Sequence, residues 1–219
     1  MKNLQKMGGI AALYIAAVYV VIFVVLIFLM DTFIVVDPVQ QVALLVDNQA
    51  IMYIMNLIMF VAVGIFLVVL ALALYERLKA GSPAIMQIAT AIGLIWACLL
   101  IGSGMVANSG IETVVDLYGK DPAQAVTVML AIEPVADGLG CEFELPGSLW
   151  VLLISWAALR AGGLPKALNY IGVVMGVAGI ITVVPAAREV ARMVFSLGQL
   201  VWFIWLGIVM LRSRTSAAA

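Results

Sequence analysis

The sequence predicts an all-α, polytopic integral membrane protein: a bundle of six transmembrane helices with an extra outer or re-entrant helix. Three observations predict it. Hydrophobic residues make up 66% of the chain and charged residues only 11%, where soluble domains carry about 25%. The apolar residues gather in long runs, several of them near the roughly 20 residues a helix needs to cross hydrocarbon. The separators carry the charge, the prolines and many of the glycines, as turns between spans should.

Each element follows in order, within one transmembrane domain over 1–219. Lys2 and Lys6 precede an apolar run that is too long for a signal-peptide core of about 7–15 residues and lacks a small-residue cleavage site, so residues 8–30 read as an uncleaved first span. Asp37-Pro38 is a helix start, with a capping carboxylate followed by proline at the first helical position, and predicts a short interfacial helix over 39–46. The second span, 49–75, stops at Glu76-Arg77-Leu78-Lys79 and the Gly81-Ser82-Pro83 turn. The third covers 84–108 and leads into a connection over 109–120. Asp121-Pro122-Ala123-Gln124 has a capping-box pattern and opens the extra helix, 122–137, which Gly138-Leu139-Gly140 should break. The fourth span, 145–161, is near the short limit. The fifth, 167–186, carries Gly172, Gly176 and Gly179, a small-residue stripe suited to close packing inside the bundle. The sixth, 190–211, ends at Arg212 and Arg214.

With the N-terminus in the cytoplasm, Lys2, Lys6, Arg77, Lys79, Arg160, Lys166, Arg212 and Arg214 fall inside, and only Lys120, Arg188 and Arg192 fall outside. This asymmetry predicts both termini inside. Of the twelve acids only Glu76 falls inside, so the outer half is acidic.

The net charge of −1 leaves no nucleic-acid footprint. The absence of histidine removes most zinc sites and histidine acid–base chemistry. Cys98 and Cys141 stand alone, with no metal-ligand spacing around them. The tryptophans and the Met52, Met55, Met59 stripe read as packing residues. No cofactor is specified.

Four acids, Glu133, Asp137, Glu142 and Glu144, lie within twelve residues of an otherwise apolar tract. An ionised carboxylate in hydrocarbon is costly without a partner, water or a role. Glu133 and Asp137, four apart, share a helix face. Arg188, Arg192, Ser196 and Gln199 form a polar stripe on the outer part of the sixth span, and Asn56 and Asn108 fall at similar depth. Together these residues predict an acidic, outward-open polar chamber that binds a ligand. The alternative is a solvated outer surface with the acids capped by Arg188 and Arg192. On either view an arginine is expected within salt-bridge reach of at least one of the four acids.

The opening Met7-Gly8-Gly9-Ile10-Ala11-Ala12-Leu13-Tyr14-Ile15, the exit Leu70-Ala71-Leu72-Ala73-Leu74-Tyr75-Glu76-Arg77-Leu78 and the tract Gly147-Ser148-Leu149-Trp150 to Ser155-Trp156-Ala157-Ala158-Leu159-Arg160 with Gly163-Leu164-Pro165 resemble a bacterial membrane-protein family, the domain of unknown function 4386. That resemblance implies six helical spans in a bacterial inner membrane. It implies no activity and no catalytic residues.

Two functions are therefore expected from the residues. One is a small transporter or a solute- or cation-binding protein using the acidic chamber. The other is a non-catalytic scaffold or accessory subunit of a larger membrane complex. An enzyme is disfavoured, since the carboxylate pair has no nucleophile or metal site beside it. The expected partners are the lipid bilayer, then membrane proteins or a second copy of the chain.

Overall fold

A computed structural model describes residues 2–33, 37–140 and 144–212. Among these, every regular element is helical. The order is α1 (Lys2–Phe33), α2 (Pro38–Asp47), α3 (Gln49–Asn56), a π-helical segment (Leu57–Ala62), α4 (Val63–Leu78), α5 (Pro83–Tyr118), α6 (Pro122–Gly140), α7 (Leu145–Ala161), α8 (Lys166–Ile181), a 3-10 turn (Pro185–Ala187) and α9 (Arg188–Arg212). Four stretches are long and apolar enough to cross a membrane: Asn3–Ile22, Gln49–Leu78, Pro83–Tyr118 and Pro185–Arg212. The helices at the expected fourth and fifth spans have 17 and 16 residues.

Local chemistry sets several boundaries. The Asp37 carboxylate accepts the Val39 N–H at 3.1 Å, and Pro38 follows at the first helical position. Asp121 accepts the Gln124 N–H at 3.1 Å. The expected reciprocal half of that capping box is replaced, because the Asp121 N–H bonds the Leu117 carbonyl at 2.7 Å and closes the preceding turn. The last turn of α7 closes on Gly162, whose φ of +75° is in the region that glycine adopts without strain.

Two expectations about helix limits are corrected. The connection over 109–120 is instead a continuation of α5, which runs unbroken to Tyr118. Its last turns have an apolar face to bury: Val114 packs with Val42, Ala125 and Met129 in one cluster. The Gly138-Leu139-Gly140 break does not occur, and α6 continues through Gly140. A Cβ at Gly140 would lie 2.5 Å from Ser103 Oγ and 2.7 Å from Ser103 Cβ. The glycine serves close approach of two helices rather than helix termination.

The chain forms two compact units: one of Met1–Tyr19, Ile65–Ala97 and Phe143–Ala219, the other of Val20–Gly64 and Cys98–Glu142. In the first, α7 and α8 pack closely. The stripe of Gly172, Gly176 and Gly179 lies over Ser155, Leu152 and Ser148 of α7, in the role expected for it inside the bundle. Trp96, Trp150, Trp202 and Phe203 form a run of ring contacts with centroids 5.3–5.8 Å apart through this core. Gly8, Gly9 and Gly207 let the start of α1 approach the end of α9, against Met210, Leu211 and Leu13. In the second unit, α6 folds back along the end of α5, with Ile132 over Gly110 and Ser103 donating to the Ala136 carbonyl at 2.8 Å.

Candidate functional site

The second unit contains a cavity of about 330 Å³. Its wall is mainly apolar: Met52, Met55 and Met59 from α3 and the π segment, Phe60 beside them, Ile111 from α5, and Met129 from α6. The methionines that read as filler thus line open space, where their flexible thioethers adapt to an occupant. Its polar atoms come from Asn56, Ser103, Glu133 and Asp137.

A specific interaction set shapes this wall. Asn108 is buried in α5; it accepts from Asn56 Nδ2 at 2.9 Å and donates to the Tyr53 carbonyl at 3.3 Å. The latter bond takes up a backbone acceptor just ahead of the π segment. One turn earlier, Gly104 faces the same stretch: a Cβ there would lie 2.7 Å from Phe60 Cβ and 3.3 Å from the Asn56 carbonyl. A missing side chain and an inserted amide, four residues apart on α5, seat the π-helical turn against it. Such turns recur at functional sites because they redirect side chains that a regular helix would stack. Neither the π segment nor the roles of Ser103 and Gly104 were foreseen in the sequence.

Glu133 and Asp137 project from one face of α6, as their spacing predicts, and both are exposed at the cavity. Pro134 lies between them and supplies no N–H to the helix ladder. Partial desolvation, and then the Asp137 charge one turn away, raise the Glu133 carboxyl above its usual range. Among the described residues, no basic side chain lines the cavity.

The remaining predicted residues belong to the first unit. Glu144 immediately precedes α7, and its carbonyl accepts both the N–H (2.9 Å) and the hydroxyl (2.5 Å) of Ser148. Burial pushes its carboxyl up to about 7, and the nearby Arg192 charge opposes that shift. Arg188 Nε donates to the Thr182 carbonyl at 3.2 Å, closing the turn into α9. Gln199 is buried in α9, and among the described residues its Nε2 has no hydrogen-bond acceptor. Glu142 lies outside the described residues. Of the ten residues expected to form one chamber, Asn56, Glu133 and Asp137 line the cavity, with Asn108 holding Asn56. Glu144, Arg188, Arg192, Ser196 and Gln199 sit in the other unit.

Among the described residues these features define an all-helical protein with four helices long and apolar enough to cross a membrane and a mainly apolar cavity edged by two acids. Residues 10–209 match the family model described as Domain of unknown function (DUF4386), and the chain belongs to that family. No curated protein and no solved structure matches it.

Proposed function

We propose that this protein is a small membrane transporter or solute-binding protein whose ligand occupies the cavity of the second unit. The observation that carries the reading is the cavity itself. Ligand pockets are concave, mostly apolar, about 300–1,000 Å³, and carry a few converging polar groups. This one has the volume, the apolar wall and the polar set of Asn56, Ser103, Glu133 and Asp137.

The membrane setting supports the same reading. In it the chain has six spans in a bacterial inner membrane, with both termini cytoplasmic, and α7 and α8 supply the two short ones. On that topology α6 belongs to the outer connection between the third and fourth spans, where water reaches Glu133 and Asp137. Cysteines introduced at Gly81 and Tyr118 should label from opposite sides; labelling from one side would overturn this topology.

Uptake into proteoliposomes, with and without a pH gradient, tests the function. Transport of small amines or cations that falls in Glu133→Gln supports it. Absence of both uptake and binding at the cavity would remove it. Purification in mild detergent with a constant set of partner proteins would favour the scaffold reading instead.

A further inference from the structure

We infer that the cavity ligand is a small amphipathic monoamine, bound as its ammonium with its apolar body among the methionines. The inference rests on the solute-binding reading above and narrows it to one chemical class.

Charge is the first argument. The second unit, residues 20–64 and 98–142, contains nine acidic residues and a single basic one, Lys120. That lysine, in the turn after α5, is 3.4 Å from the exposed Asp116. A unit so unbalanced attracts cations and repels anions through its summed field. The Asp137 charge, one helical turn away, disfavours ionisation of Glu133, and an ammonium bound beside Glu133 offsets it. An anionic or zwitterionic acid would meet these carboxylates with like charge.

Shape is the second argument. A hydrated metal ion does not fit a wall made of Met52, Met55, Met59, Phe60, Ile111 and Met129, because burying apolar surface against a hydrated ion gains nothing. At about 330 Å³ the space lies at the small end of ligand pockets, which sets the occupant as one ring system or one short chain rather than a two-chain lipid. An apolar body with one ammonium at its end meets both the wall and the acids. Asn56, held by Asn108, presents an amide beside them.

Three probes with one apolar body decide the matter: 4-phenylbutylamine, 4-phenylbutanol and 4-phenylbutyrate. The full chain in lipid nanodiscs is titrated with each by calorimetry at neutral pH, with empty nanodiscs subtracted. The amine should bind at least tenfold tighter than the alcohol, and the carboxylate weakest. Glu133→Gln should erase most of the amine-to-alcohol ratio. Equal binding of all three, or an unchanged amine-to-alcohol ratio in E133Q, overturns the amine assignment while the cavity stands as a solute site. Binding of none of them above the empty-disc level overturns the solute-binding reading itself. If E133Q does not fold, Asp137→Asn replaces it, and the wild-type ratio alone still decides.

Discussion

Two glycines two residues apart on α5 should respond to alanine with opposite signs. At Gly102 an added Cβ meets nothing within 4 Å. Alanine there gains only the helix preference of alanine over glycine, about 0.5–1 kcal/mol. At Gly104 the same Cβ would lie 2.7 Å from Phe60 Cβ, 3.2 Å from Val61 Cγ2 and 3.3 Å from the Asn56 carbonyl. The nearest of these atoms is a Cβ fixed to backbone, so no rotamer change removes it and the π segment must move. Overpacking of that kind costs about 1–3 kcal/mol, and setting the propensity gain of about 0.5–1 kcal/mol against it leaves a net loss of up to about 2.5 kcal/mol. For a chain of this size each kcal/mol moves Tm by about 2–4 °C. Gly102→Ala should therefore raise Tm in detergent by about 1–4 °C, and Gly104→Ala should lower it by up to about 10 °C. Since Phe60 and Asn56 also line the cavity, Gly104→Ala should weaken amine binding while Gly102→Ala leaves it intact. A rise in Tm for Gly104→Ala equal to that for Gly102→Ala would refute the packing of α5 on the π segment.

Two further outcomes follow from single groups. Asn108→Ala removes two hydrogen bonds from a buried site and should cost about 1–3 kcal/mol in thermal unfolding. Asn56→Ala on that background should then cost little, because the shared bond is already gone; full additivity would show that the two amides do not interact. Glu144 titrates near 7 in the folded protein against an ordinary 4.5, so the folded state holds its proton more tightly than the unfolded one. Its effect on stability is thus most favourable below about pH 4.5, declines as pH rises to about 7, and is flat above. The full shift corresponds to at most about 3 kcal/mol. The difference in Tm between wild type and Glu144→Gln, followed from pH 4.5 to 8, should change over that window and nowhere else; a difference independent of pH would place the carboxyl in water. Arg192→Ala should steepen the change, since its charge opposes the shift.

What could be read from the sequence divides by the range of the physics involved. The apolar runs and the caps at Asp37 and Asp121 were legible because transfer to hydrocarbon and capping depend on residues a few positions apart. The Gly138 and Gly140 pair was not, since one residue type serves contrary ends. Gly162, at positive φ, follows the last turn of α7, while Gly140, in a sequence that reads as a break, sits inside a continuous helix because Ser103 lies against it. Only the partner helix, some forty residues away in the chain, distinguishes the two uses. The π segment has the same origin: nothing in Leu57–Ala62 departs from an ordinary span, and the turn is seated by Gly104 and Asn108 of α5.

The candidate site shows the limit most directly. Asn56, Asn108, Glu133, Asp137, Gln199 and the arginines fall at similar depth, the one coordinate that counting along an apolar helix supplies. Depth leaves the lateral neighbours undetermined, and these depend on which helix faces pack. Glu133 and Asp137 share a cavity with Asn56 because α6 folds back on α5 through Gly110, Ser103 and Gly140. Gln199, on the same reckoning of depth, is enclosed in the other unit beside the Trp202 core. Residues that share a level in a membrane therefore form a site only where a small residue lets their helices meet. In this chain the small residues, more than the charges, are what locate the acids.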